Sequence, residues 1–195
     1  MARYREVKEV LLDYPKEVIL KDGTGLTLRP IREGDEEALH AMFGRLPEDD
    51  LWFLNHDVSD PRMIGEWIGN LDTGRVLSIA AVLEGRIIAN AVLMRKRFGA
   101  KSHIGKIRIS VDPRFRDRGL GGWMLLDLIN LAMSVGLRML VMRLVRERDL
   151  PVIMGIEKLG FAEEAVLRNY VLDRAGRSHD LVIMTKRLPL DLDDF

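Results

Sequence analysis

The spacing of apolar residues changes period repeatedly along this chain, and each change marks an element. Val7, Val10 and Leu11 are helically spaced, and Pro15 ends that run. Val18-Ile19-Leu20 before Lys21-Asp22-Gly23 reads as a strand and turn, and Leu26 to Ile31 as the strand that returns. Asp35 has the position of an N-cap for a helix carrying Ala38, Leu39, Met42 and Phe43 on one face. Asp60-Pro61 starts a second helix, with Ile64, Trp67, Ile68 and Leu71 as its apolar face. Val76 to Leu83 and Ile87 to Met94, joined by Glu84-Gly85-Arg86, read as a β-hairpin. Ile104 to Val111 alternates, with Ile107, Ile109 and Val111 on one face and Lys106, Arg108 and Ser110 on the other.

A glycine-rich turn follows, and then a helix from about Leu120 to Val135 whose stripe is Leu120, Met124, Leu128, Ala132 and Val135. Met139 to Val145 is the next strand. Pro151 sits in the first turn of a helix that Gly160 stops. Two last strands, near Ala165–Leu172 and Leu181–Arg187, flank the turn Asp173-Arg174-Ala175-Gly176. Hairpins around an embedded βαβ unit predict an α/β fold with a mixed sheet and helices on both faces.

Length and composition narrow the class. The chain has 195 residues, 47% apolar and 31% charged, enough for one domain with one sizeable core. The expected division is an N-terminal extension over 1–22, one domain over 23–190 and an acidic tail over 191–195. The formal net charge is zero, so no global field favours nucleic acid, and an anionic ligand needs a local feature. Without cysteine there is no disulfide, thiolate nucleophile or thiolate-bound zinc. His40, His56, His103 and His179 are scattered without ligand spacing, so no metal is expected. No signal-peptide run or stretch approaching ~18 apolar residues is seen, which points to a cytoplasmic protein with no membrane partner.

The chemistry concentrates in Val111-Asp112-Pro113-Arg114-Phe115-Arg116-Asp117-Arg118-Gly119-Leu120-Gly121-Gly122, between a strand and a helix. Helix-initial N–H groups lack intrahelical partners and carry the positive end of the dipole, so this turn can cradle a pyrophosphate. Arg114, Arg116 and Arg118 add local positive charge. The P-loop reading fails because Trp123-Met124 follows Gly121-Gly122 where Lys and Ser/Thr are needed. The dinucleotide reading fails because its third glycine would be Met124.

What remains is Arg116-x-x-Gly119-x-Gly121, followed downstream by Glu157-Lys158-Leu159-Gly160-Phe161. Together these resemble the acetyl-CoA-binding signature and second recognisable segment of the GCN5-related N-acetyltransferase (GNAT) superfamily. Leu28-Arg29-Pro30-Ile31 and Asp35 also match the family order, and the opening has some likeness to bacterial protein-lysine acetyltransferase domains. The resemblance implies a mostly antiparallel, twisted sheet of six to seven strands with one central βαβ unit. It implies acetyl-CoA as co-substrate, no metal, and direct transfer of an acetyl group to a primary amine on a protein or small molecule. Backbone N–H groups of Asp117, Arg118, Gly119, Leu120, Gly121 and Gly122 would hold the pyrophosphate, and Arg116 would belong to the same cofactor site. Ile109, Ser110 and Val111 would splay from the following strand and hydrogen-bond the pantetheine. The protein would be a monomer or homodimer.

Three positions depart from the family pattern. A frequent tyrosine acid is Ile156, a frequent asparagine is Asp149, and a frequent glutamate is Lys106. Glu147 and Asp149, just past a strand end, are the candidate bases, and Tyr170 is a further catalytic candidate. Glu147 also reads as a surface charge and Asp149 as the N-cap of the next helix. Trp52 and Phe53 read equally as an acceptor wall or as packing. Glu48, Asp49, Asp50 and Asp57 would suit a cationic acceptor. The missing tyrosine and glutamate keep open a non-catalytic acyl-CoA-binding module.

Overall fold

The computed structural model describes residues 4–54, 58, 60–69, 71 and 74–189. His56, Asp57 and the 191–195 tail named above lie outside the described residues. The strands are β1 (Lys16–Ile19), β2 (Gly25–Pro30), β3 (Val76–Leu83), β4 (Arg86–Arg95), β5 (Ile104–Val111), β6 (Met139–Val145), β7 (Ala162–Leu172) and β8 (Ser178–Arg187). The helices are α1 (Val7–Leu11), α2 (Glu36–Phe43), α3 (Glu48–Trp52), α4 (Pro61–Gly69), α5 (Leu120–Ser134) and α6 (Leu150–Glu157).

One sheet contains all eight strands, in the order β1-β2-β3-β4-β5-β6-β8-β7. Every neighbouring pair is antiparallel except β5 and β6, which α5 connects as the βαβ unit. The count exceeds six to seven because β1, within the segment set apart as an extension, pairs with β2 from Lys16↔Leu28 to Ile19↔Gly25. The β3–β4 turn closes on Glu84 and Gly85, both at positive φ, as a two-residue hairpin whose twist matches the strands requires.

The two faces of the sheet bury separate clusters. On one, the predicted α5 stripe packs with Ile107, Leu140, Val182 and Met184. On the other, Leu39, Met42 and Phe43 of α2 and Ile64 and Ile68 of α4 pack on Ala80 and Ile87. Each such side chain contributes about 1.5–3 kcal/mol on burial, so a helix with a full stripe is fixed to its face. The N-terminal segment is tied to α5 by polar bonds. Tyr14 Oη donates to Asp127 Oδ2 at 2.5 Å and Lys16 Nζ to Asp127 Oδ1 at 2.7 Å.

Two local expectations are corrected. Asp35 does not cap α2 with its side chain; its carboxylate takes both arms of Arg29 and the Arg32 N–H. A two-pronged guanidinium outweighs one cap bond. Residues 48–52, read as an acidic and aromatic wall without an element of their own, form α3, with Pro47 at its N-cap and three acidic residues in its first turn. No described helix is long and apolar enough to cross a membrane.

Candidate functional site

The β5–β6 ladder covers Ile104↔Met139, Gly105↔Leu140 and Lys106↔Val141, and then stops. Both strands continue: β5 stays paired to β4 as far as Val111↔Ala89, and β6 to β8 as far as Val145↔Leu181. The sheet therefore opens as a V in its middle. Its apex is tight because residue 105 is glycine. A Cβ there would meet side-chain atoms of Leu93, Leu137 and Leu140 at 2.7, 2.8 and 3.0 Å.

Strand alternation decides which groups line the opening. Asp112 N–H bonds Ile88 O, so the even-numbered backbone groups of β5 face β4. The N–H and C=O groups of Ile109 and Val111 therefore face the V, and Arg116 Nε reaches Val111 O there at 3.2 Å. On the other arm Arg146 N–H bonds Asp180 O, which turns the Val145 N–H into the V. That N–H is met by Asp149 Oδ2 at 2.7 Å.

Past the end of β5, the fully buried Asp112 builds the turn. It accepts from Arg114 N–H at 3.1 Å and from Arg45 Nε at 2.5 Å. Burial opposes its ionisation, but the bonds from Arg114 and Arg45 hold its carboxyl well below the usual carboxylate range. Asp117 and Gly119 follow at φ 61 and 87, and α5 begins at Leu120. Gly121 and Gly122 lie in the first turn of α5, where an added Cβ would meet nothing within 4 Å. Each costs a helix roughly 1 kcal/mol relative to alanine, and neither carries the positive φ that demands glycine. No side chain therefore stands over the helix-initial N–H groups of Leu120, Gly121 and Gly122.

The β1–β2 turn leans on this cradle. Lys21 N–H bonds Arg118 O at 3.2 Å, Arg118 Nη1 bonds Asp22 at 3.0 Å, and Trp123 Nε1 bonds Ile19 O at 3.1 Å. The Lys21 side chain runs beside Gly119, with Cε 3.3 Å from where a Cβ would be. Its ammonium has no carboxylate partner among the described residues.

Helix α3 bridges the mouth of the V. Asp50 accepts from Arg116 Nη2, after β5, and from Arg148 Nη2, after β6, both at 2.5 Å. Burial works against its charge, but these two bonds keep its carboxyl below the usual range. Glu48 pairs with Arg174, and Trp52 Nε1 bonds Leu172 O at 2.7 Å, which carries the bridge to the β7–β8 turn. Trp52 is thus a tether on the surface, and Arg148 stacks over Phe53 at 5.0 Å. Of the acidic wall, Glu48 and Asp50 are neutralised by arginines, and Asp49 is exposed.

The catalytic candidates separate. Asp149 has a side chain only 15% exposed, with Arg148 Nη1 at 3.3 Å. It makes no cap bond to α6; its carboxylate points back into the V. Burial, assisted by the charge of Asp50, raises its pKa against the Val145 N–H and Arg148. Glu147 is 63% exposed and lies 3.5 Å from His179 Nδ1. His179 Nε2 meets Asp173 at 3.1 Å, and these carboxylates, Asp173 first, raise the imidazole pKa. Tyr170 is 61% exposed, in a stretch of β7 where the register to β8 shifts between Leu167 and Val171. Ile156 is buried against the α5 layer, and Lys106 is exposed on β5. Among the described residues no three His, Asp or Glu side chains cluster as a metal site.

The sequence reading placed Asp50 in an acidic wall without its two arginine partners, and gave Asp112 and Lys21 no role in the site. Pro47-Glu48-Asp49-Asp50 carried a helix-start signal; the partners of Asp112 and Lys21 are distant in sequence and left none.

Comparison with known proteins places this geometry. Residues 36–161 match the model of the acetyltransferase (GNAT) family, which is more than half of the chain. A Bacillus subtilis protein provisionally named phosphinothricin acetyltransferase YwnH is 24% identical over 165 residues, covering 84% of this chain and 99% of its own. A GNAT-family acetyltransferase from Streptococcus pneumoniae superposes with a TM-score of 0.73 at 21% identity, covering 83% of this chain and 99% of that one. YncA of Salmonella typhimurium, solved with acetyl-CoA, superposes at 0.71 with 18% identity, covering 86% and 96%.

Proposed function

The chain belongs to the acetyltransferase (GNAT) family, and from that premise we propose that it transfers an acetyl group from acetyl-CoA directly to a primary amine. One observation carries the proposal. The β5–β6 ladder ends at Lys106/Val141 while both strands run on, and a helix start open at Gly121 and Gly122 follows β5 at the mouth of the gap.

The residues fit the co-substrate. The N–H groups of Asp117 to Gly122, at the positive end of a 15-residue helix, suit a pyrophosphate. Lys21, without a carboxylate partner among the described residues, adds positive charge beside Gly119, while Arg116 and Arg118 are paired with Asp50 and Asp22. Ile109 and Val111 offer N–H and C=O groups to an amide-bearing arm laid in the V. Bound acetyl-CoA supplies a thioester, an acyl group already activated toward an amine.

The chain's own tasks are then positioning, proton removal and stabilisation of the carbonyl oxygen. The Ile109 N–H faces the gap and serves as donor to the developing oxyanion. Asp149 serves as the base: it is the candidate carboxylate that combines placement in the gap, burial and a raised pKa. Glu147, turned toward His179, and Tyr170, on the sheet edge, are less well placed. Ile156 cannot protonate the leaving thiolate, a good leaving group that can depart without a dedicated acid.

Calorimetric titration of acetyl-CoA into the wild type and Gly121→Glu tests the cradle, and thiol release with a panel of amines tests transfer. Micromolar binding lost in the variant, with release above the hydrolysis blank, is expected. Binding without release on any amine would reassign the protein as an acyl-CoA-binding module. A folded wild type that ignores acetyl-CoA would end the reading.

A further inference from the structure

Among the described residues the Arg108 guanidinium meets no carboxylate. Of the arginines that are part-buried, Arg29 bonds Asp35, Arg45 bonds Asp112 and Ile87 O, Arg95 bonds Gly74 O, and Arg146 bonds Glu163. The Arg108 guanidinium donates to no oxygen among the described residues, and its recorded contact is the Trp67 ring, 5.8 Å from its centre. Burial alone lowers its pKa, with no carboxylate to oppose it. Leaving five N–H donors half out of water is costly unless something else fills them.

Its position says when that happens. Ile107, Ile109 and Val111 pack toward α5, so Arg108 and Ser110 project from the opposite face of β5. On that face stand Trp67 of α4 and, on β4, Val92 opposite Arg108 and Asn90 opposite Ser110. Asn90 is already bonded to Ser78 at 2.8 Å, and Lys106 adds a second cation two residues away. The α5 layer closes one side of the Ile109 backbone. An acceptor reaching that N–H arrives from the other side and passes the Arg108 guanidinium.

We propose that Arg108 anchors a carboxylate on the acceptor, so that the amine acetylated belongs to a small molecule of amino-acid type. This rests on the acetyltransferase reading above. The planar fork matches a carboxylate with two parallel bonds, and Trp67 holds the fork in place. Ile109 and Arg108 are adjacent, so only a few bonds separate the carboxylate from the reacting amine.

The test uses the full chain. Calorimetry with acetyl-CoA alone comes first, because failure there sinks the acetyltransferase reading rather than this one. Thiol release is then measured with the common amino acids, each beside its carboxamide, and binding of the N-acetyl amino acids to the CoA-loaded protein is read separately. The acid is expected to be preferred about 10- to 100-fold in kcat/KM for the best acceptor. Arg108→Gln abolishes that preference and the product binding, Arg108→Lys keeps part of both, and neither changes acetyl-CoA affinity. Arg108→Met leaves the melting temperature unchanged or higher, since it removes an uncompensated charge. Equal use of acid and carboxamide, a preference that survives in Arg108→Gln, or no carboxylate bound or acetylated would overturn the proposal. So would a fall of more than about 5 °C in Arg108→Met, which would make Arg108 a structural partner of Trp67.

Discussion

Glycine stands at both ends of the gap between β5 and β6, for opposite reasons. At the apex, Gly105 is enclosed by Leu93, Leu137 and Leu140, so close that one methyl group would not fit. At the mouth, Gly121 and Gly122 face open space. The first absence of a side chain lets the protein close on itself. The second leaves the first turn of α5 without a side chain where one would fit. Packing accounts for one end of the gap, and the proposed acetyl-CoA site lies at the other.

That contrast can be broken at several strengths. The largest effect is expected at Asp149, deep in the open end. Asp149→Asn should lower kcat by roughly 10²- to 10⁴-fold without loss of stability. Its folded pKa is raised above the ordinary value of about 3.9, so in the wild type kcat/KM falls as pH drops through that raised value. The same sign means that ionising Asp149 costs stability as pH rises through it, and the asparagine variant should melt no lower at neutral pH. A pH–rate profile and a thermal melt check both.

Gly121→Glu and Gly105→Ala sharpen the comparison directly. The first should keep its melting temperature and lose acetyl-CoA affinity; the second should do the reverse. Overpacking at Gly105 costs about 1–3 kcal/mol, a drop of several degrees for a chain of this size. An affinity loss in Gly105→Ala as large as in Gly121→Glu would erase the distinction. Lys21→Ala should weaken acetyl-CoA binding about two- to five-fold at low salt, the range of an exposed ion pair, and hardly at all at high salt.

The smallest effect is outside the gap. Asp173 and Glu147 raise the pKa of His179, so its contribution to stability is present below the unfolded value near 6.5. It is lost as pH rises through the folded value. The ring should titrate above 6.5 by NMR, and lower in Asp173→Asn.

The parts of this fold carried by local periodicity were legible in the sequence. The β5 alternation and the α5 stripe are where the spacing of Ile107, Met124 and Leu128 puts them. The Arg116–Gly122 segment reads as the turn between a strand and a helix because its signals are contiguous in the chain, and α5 begins there at Leu120. Pairings across the fold were not legible. Asp50 meets Arg116 and Arg148 over separations of 66 and 98 residues, and no local pattern encodes that bridge. Asp149 reads both as a candidate base and as an N-cap before Pro151; it stands at the N-cap of α6, but its carboxylate takes the Val145 N–H and makes no cap bond. Short α3 lacked the length for a periodic signal, although its acidic first turn was in view.

The sheet ends in two strands with unfilled backbone groups, and each is spoiled as a template. At one border β1 offers four residues, too few to seed a lasting union with a neighbouring molecule. At the other, β7 is eleven residues long and mostly exposed, but its register shifts twice, and Asn169 turns to φ 51 in the middle. Glu163, Glu164 and Arg168 add charge along it. A border interrupted in this way cannot present one long straight row of donors and acceptors, and the molecule is thereby guarded against growing, strand upon strand, into a fibril.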